Sequence, residues 1–255
     1  MPDSAIPEGY ALAWSDEFDL DAGSMPDPKT WNYIVWRPGR VNHELQSYVD
    51  DPEHLCIVDD PAASNGKALR IRATTDGRGN YVSGRIDSDH KFTTQYGYVE
   101  ARIKMTRGQG TWPAFWMLGD DHDTAGWPRC GEIDIMENKG REPSIVHGSL
   151  HGPEYRGKDC LTGALTLTDG QAFADAYHTF GVLWEENGIT FSVDGRAYRS
   201  VTPVDLAPDK EWVYNHPFYL VANLAIGGDF TGAPDADTVF PQDLLIDYMR
   251  VYKPN

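Results

Sequence analysis

Along most of this chain polar and apolar residues alternate with a period of two, and the 3.6-residue period of an amphipathic helix is almost absent. Between residues 98 and 105, Val99, Ala101, Ile103 and Met105 fall on one face while Tyr98, Glu100, Arg102 and Lys104 fall on the other. That pattern predicts a strand with one buried side. Residues 67–73, 144–151, 178–184, 218–225 and 245–252 read the same way, and 189–193 and 197–201 are joined by Asp194-Gly195, a strong hairpin signal. Only residues 170–177, behind Asp169 as a candidate cap, predict a short helix. No internal repeat, linker or charge block interrupts the series. Many short strands between Gly and Pro turns predict an all-β sandwich or barrel, with residues 1–255 as one domain.

Composition narrows the partner. Of 255 residues, 39 are Asp or Glu and 22 are Lys or Arg, a formal charge of −17. Such a charge disfavours nucleic acid, anionic membrane surfaces and sulfated or carboxylated polymers, so a neutral partner fits best. The 8 Trp, 13 Tyr and 9 Phe argue against disorder. No apolar stretch approaches the roughly 18 to 20 residues that cross a membrane. The first residues carry neither the cationic start nor the apolar segment of a secretory signal, so the expectation is either an internal protein or one whose signal has been removed. Cys56, Cys130 and Cys160 show no C-x-x-C spacing and indicate neither a zinc site nor a disulfide framework.

The chemistry concentrates at Gly131-Glu132-Ile133-Asp134-Ile135-Met136-Glu137. In a regular strand Glu132 and Asp134 share a face and Glu137 points to the other. A β-bulge near Ile135 and Met136 would add one residue and return Glu137 to the first face. At about 3.3 Å per residue the outer Glu backbones would be roughly 13 Å apart, and inward-leaning side chains could close this to about 5 to 5.5 Å, the spacing of a retaining glycosidase pair. A solvated outer face or part of a calcium site would use the same residue types. Trp112, Trp116 and Trp127, close in sequence to the acids, favour a site where sugar rings stack.

These residues resemble glycoside hydrolase family 16, and within it the bacterial laminarinase-like endo-1,3-β-glucanases. Glu132, Asp134 and Glu137 match the family's Glu-x-Asp-x-x-Glu signature in its bulged form. Trp14-Ser15-Asp16-Glu17-Phe18-Asp19, Asn42-His43-Glu44-Leu45-Gln46, Ser83-Gly84-Arg85-Ile86, Tyr96 to Arg102, Gly110 to Leu118, His147 to Pro153, Asn223 to Gly228 and Asp247 to Tyr252 follow in the family's order, across nearly the whole chain. His43 departs from the family's usual second Asn, which puts one polar sugar contact in doubt.

The resemblance implies a β-jelly-roll sandwich of two antiparallel sheets with a concave substrate cleft. It implies endo-acting, retaining hydrolysis of internal β-1,3-glucosidic bonds in laminarin-type glucans. The alternatives are a mixed-linkage 1,3-1,4-β-glucanase or a non-catalytic glucan-binding protein. By position, Glu132 is the expected nucleophile and Glu137 the general acid and base, its pKa raised by the charges of Asp134 and Glu132. Asp134 is expected to stay ionised between them. Trp112 and Trp116 are expected sugar platforms, with Trp127 bordering the cleft or sitting in the core. Asn42 and Arg85 are expected to meet donor-side hydroxyls, His151 to touch the cleft with His147 in support, and Asn223 to be a subsite residue or a satisfied buried amide. Catalysis of this kind uses no cofactor. A structural calcium is expected at Glu17, the Gly66 carbonyl and Asp247. The cysteines are expected to be inert buried thiols, with a bridge between Cys130 and Cys160 left open should the 153–163 loop fold back. Linkage choice is expected to depend on rim loops 37–41 and 153–163. The expected partner is a neutral β-glucan, with neither nucleic acid nor membrane, acted on by a monomer outside the cell or in the periplasm.

Overall fold

Each alternating segment finds partners along its edges, and the pairings resolve into two sheets. The structure, a computed structural model, describes residues 6–255; the first five residues of the N-terminal stretch lie outside the described part. One sheet runs Arg196–Val201, Gly188–Val193, His178–Glu185, Gly97–Lys104, Gln242–Pro254, Lys67–Thr75, Tyr81–Ser83 and Gln46–Tyr48, with Tyr10–Asp16 and Leu55–Asp59 paired alongside. The other runs Leu161–Thr166, Ile145–His151, Glu132–Glu137, Thr111–Gly119, Phe218–Ile226, Arg85–Asp87 and Asn32–Tyr33, with Thr93–Thr94 beside Phe218. Of these pairings only Gln46–Tyr48 with Tyr81–Ser83 is parallel. The fold is the sandwich that the alternation allows and the jelly roll that the resemblance implies.

Period-two alternation sends one set of side chains between the sheets. Val99, Ala101, Ile103, Phe180, Val182 and Met249 from the first sheet meet Phe115, Met117, Ile133, Leu220 and Leu224 from the second. Full burial of each larger side chain contributes about 1.5 to 3 kcal/mol, so register is strongly specified. Asp194 and Gly195 make the predicted hairpin turn, with φ of 47° and 79°, and Val193 pairs with Arg196 across it.

Two expectations fail for reasons of tertiary packing. Residues 170–177 form turns, not a helix. Asp169 and Gly170 have φ of 61° and 73°. Phe173 is fully buried, its N–H donating to the Pro143 carbonyl at 2.9 Å and its carbonyl accepting from Met105 at 3.3 Å. Anchoring the ring in the core overrides the local helical preference. Nor is the polar side of 98–105 wholly solvated: Tyr98 and Glu100 are buried, and the Tyr252 hydroxyl lies over Glu100, donating to Oε1 at 3.4 Å.

Candidate active site

Glu132 lies opposite His151 and Leu118, Asp134 opposite Ser149 and Trp116, and Glu137 opposite His147 and Ala114. Between the last two acids the register slips: Phe115 pairs with Met136 and Trp116 with Asp134, so Ile135 is the extra residue. Ile135 and Met136, neighbours in sequence, are both buried in the core. Consecutive strand residues turn the same way only where a bulge interrupts the pleat. The bulge therefore stands where the spacing predicts it, and all three acids share the outward face of their sheet.

Indole N–H groups hold this strip from both ends. Trp112 Nε1 donates to Glu137 Oε1 at 3.0 Å, and Trp127 Nε1 donates to Glu132 Oε2 at 3.0 Å. Trp112, Ala114 and Trp116 point outward from their strand while Phe115 and Met117 enter the core, and the small Ala114 leaves a floor between two rings. Trp116 Nε1 donates to Asn223 Oδ1 at 2.8 Å, and Asn223 Nδ2 donates to the Tyr48 hydroxyl at 3.2 Å. Asn223 is thus the buried amide that fixes Trp116. Trp127 is 51% exposed, which removes the core reading for it. The Arg85 guanidinium lies over the Trp116 ring, 4.8 Å from its centroid. Asn42 is exposed at φ 50°, its Nδ2 3.4 Å from Glu44 Oε1, whereas His43 turns aside to Asp229 at 3.0 Å.

The two histidines have different surroundings, and the buried Nε2 of His147, expected to support the site by a hydrogen bond, has no partner. His147 packs edge-on against Phe230 and is pushed below its ordinary pKa by burial, then by the charge of Lys139. His151 Nδ1 accepts the Gly157 N–H at 3.1 Å, so the proton of the neutral ring sits on Nε2, which faces Asp134 Oδ2 at 3.0 Å and Glu132 Oε1 at 3.7 Å. Donor atoms of Glu132, Asp134 and His151 lie within 4.8 Å of one another, close enough to surround a cation. With Nε2 carrying the proton, however, the imidazole offers that position a donor, not a lone pair.

Burial is the main force on the acids. It pushes the Glu137 carboxyl up to about 8, with the Asp134 charge adding to the rise and the Trp112 N–H opposing it. Glu132 is raised by burial and then by repulsion from Asp134. Asp134 is raised by burial too, against the expectation that it stays ionised. Adjacent buried carboxylates cannot both ionise cheaply, so the strip retains a proton where isolated acids would have lost theirs.

A model of Glycosyl hydrolases family 16 matches residues 50–248. The chain belongs to glycosyl hydrolase family 16. It is 36% identical to the Glucan endo-1,3-beta-glucosidase A1 of Niallia circulans, covering 96% of this chain and 38% of that protein. It is 32% identical to the Endo-1,3-1,4-beta-glycanase EglC of Rhizobium meliloti, covering 94% of this chain and 51% of that one. The chain thus spans less than two thirds of either relative. The catalytic domain of an endo-1,3-beta-glucanase (laminarinase) from Thermotoga petrophila superposes with a TM-score of 0.85 at 39% identity, covering 96% of this chain and 98% of that domain.

One finer expectation for this family 16 chain, the calcium, does not survive its structure, and the open question of a bridge is answered. The proposed calcium donors are already engaged. Both Glu17 carboxylate oxygens accept from Arg250, at 2.9 and 2.8 Å. Asp247 accepts from the Ser64 N–H and hydroxyl and from Arg102, and the Gly66 carbonyl accepts the Asp60 N–H at 2.9 Å. Two arginines supply the positive charge that calcium was expected to bring, so the set does not fit the ion. Cys130 and Cys160 are free thiols. The 153–163 loop does fold back, through Gly157, but Cys160 reaches Ser149 and Asp134 while Cys130 is buried with Leu118, Tyr219 and Val221. Sequence reasoning passed over Trp36, Tyr48 and Phe230. Glu44, Gln46 and Tyr48 alternate at period two and are all buried, a signal that was open to notice. Phe230, beside Trp112, carried none.

Proposed function

We propose that this chain is an endo-acting, retaining hydrolase of internal β-1,3-glucosidic bonds in laminarin-type β-glucans. The observation that carries the reading is the bulge at Ile135 and Met136, which sets two glutamates with separate indole donors on one face. In the first step Glu132 attacks the anomeric carbon as Glu137 gives its proton to the leaving oxygen, producing a glycosyl ester. In the second, Glu137 takes a proton from water, and the water oxygen displaces Glu132 from the same carbon. Two inversions give net retention. The Trp127 N–H favours the anion that Glu132 needs.

Around that centre Trp112, Trp116 and Trp127 offer ring faces, Asn42 and Arg85 meet donor-side hydroxyls, His151 touches the cleft, and His147 and Asn223 hold their neighbours in place. These steps use no cofactor. A neutral polymer suits a chain of formal charge −17. Residues 1–255 then act as one catalytic domain, as a monomer, outside the cell or in the periplasm where polymeric glucan is met.

Laminarin, lichenan and agarose offered in parallel test the substrate. Rapid release of laminari-oligosaccharides, slower attack on lichenan and none on agarose are expected. Faster attack on lichenan would favour the mixed-linkage reading, for which the likeness to EglC is the supporting observation. Inactivity on both glucans would overturn the proposal.

A further inference from the structure

Arg85 is 92% removed from solvent by the folded chain, being 8% exposed, and its Nε has no hydrogen-bond partner. A buried arginine ordinarily meets a carboxylate, which neutralises its charge and occupies its donors. Among the described residues the arginine ion pairs are those of Arg72, Arg102, Arg107, Arg141 and Arg250. Glu44 feels the Arg85 charge, but its oxygens accept from Gln46 at 2.7 Å and from Tyr48 and Asn42 at 3.4 Å. What holds Arg85 is a pair of rings. Its guanidinium carbon is 4.4 Å from the Trp36 centroid and 4.8 Å from that of Trp116.

We propose that Trp36 is a positioning residue for glucan binding: with Trp116 it clamps the Arg85 guanidinium on two π faces and leaves the terminal N–H donors free for donor-side sugar hydroxyls. Cation–π attraction acts through the faces of the guanidinium and its hydrogen bonds through the edge, so the clamp fixes orientation without consuming the groups that bind. The Trp36 ring is not itself a vacant sugar platform, because a second guanidinium, Arg40, stacks on it at 4.8 Å. Its backbone is fixed independently of the ring: the Trp36 N–H donates to the Tyr48 carbonyl at 3.1 Å and its carbonyl accepts from Tyr48 at 3.0 Å. Side-chain changes at 36 therefore leave the strand pairing in place.

The proposal rests on Arg85 being a sugar contact, and the test separates the two. Trp36→Leu, Trp36→Met, Trp36→Phe and Trp36→Tyr are compared on laminarin in the full chain, with melting temperatures measured alongside. Leu and Met should raise KM about tenfold, equivalent to about 1.4 kcal/mol, with kcat within about twofold. Phe and Tyr should restore KM to within about threefold of the parent, since they keep a π face. In an Arg85→Met background, Trp36→Leu should add no further rise. Leu matching Phe, parental KM in Leu and Met, or a Trp36→Leu penalty that persists undiminished without Arg85 would each overturn the clamp. An unchanged KM in Arg85→Met alone would remove the sugar contact and the clamp with it, a result read without touching Trp36. Met keeps the comparison open should Leu fold poorly.

Discussion

Glu137 owes its proton to burial first and to Asp134 second, while Trp112 pulls the other way by donating to the carboxylate. A donor to the ionised form lowers a carboxyl pKa, so removing it raises the pKa further. In the proposed mechanism Glu137 must be protonated to act as an acid, so activity should be lost as pH rises through its pKa. Trp112→Phe should therefore move the alkaline limb of kcat/KM upward from about 8, while the ring face is retained. A limb that stays or moves down would separate Trp112 from the acid. The spacing of the three carboxylates made a shared face legible, and the nearby Trp residues with the family resemblance pointed to its chemistry. Their indole donors were not, because Trp112 and Glu137 are 25 residues apart and meet only through strand pairing.

At the scale of the element, the bulge does what a point substitution cannot. It rotates the chain so that Ile135 and Met136 both enter the core and Glu137 rejoins Glu132 and Asp134. Ile135→Ala and Met136→Ala should each destabilise the protein by about 2 to 5 kcal/mol in urea unfolding, the range for large-to-small core changes. In an unbulged strand one of the two would face outward and tolerate alanine, so a near-neutral result at either position would contradict the bulge. Strands read well from sequence because a half-buried pleat forces alternation. The segment around Phe173 read wrongly because its ring is drawn into the core by residues distant in sequence, Met105 and Pro143 among its backbone partners. Glu17 and Asp247 were read, through the resemblance, as calcium donors brought together from the two ends of the chain. Their arginine partners, which displace the calcium reading, each lie on a different strand, Arg250 for Glu17 and Arg102 for Asp247.

Across the whole molecule the buried acids exchange stability for chemistry. Asp134 has a folded pKa raised above its unfolded value by burial. The native state thus binds that proton more tightly, and stability falls as pH rises from about 4, where the unfolded carboxyl ionises, through the folded pKa. Asp134→Asn should accordingly raise Tm more at pH 8 than at pH 4, at about 2 to 4 °C per kcal/mol for a protein of this size. Calorimetry showing an equal gain at both pH values would mean that Asp134 is not held against its charge. The central claim, that Glu132 and Glu137 work as a retaining pair, is tested most directly by proton NMR of the first product formed from a β-1,3-glucan oligosaccharide. The β-anomer should appear first and the α-anomer only later by mutarotation. Initial appearance of the α-anomer would contradict the assignment of Glu132 as nucleophile.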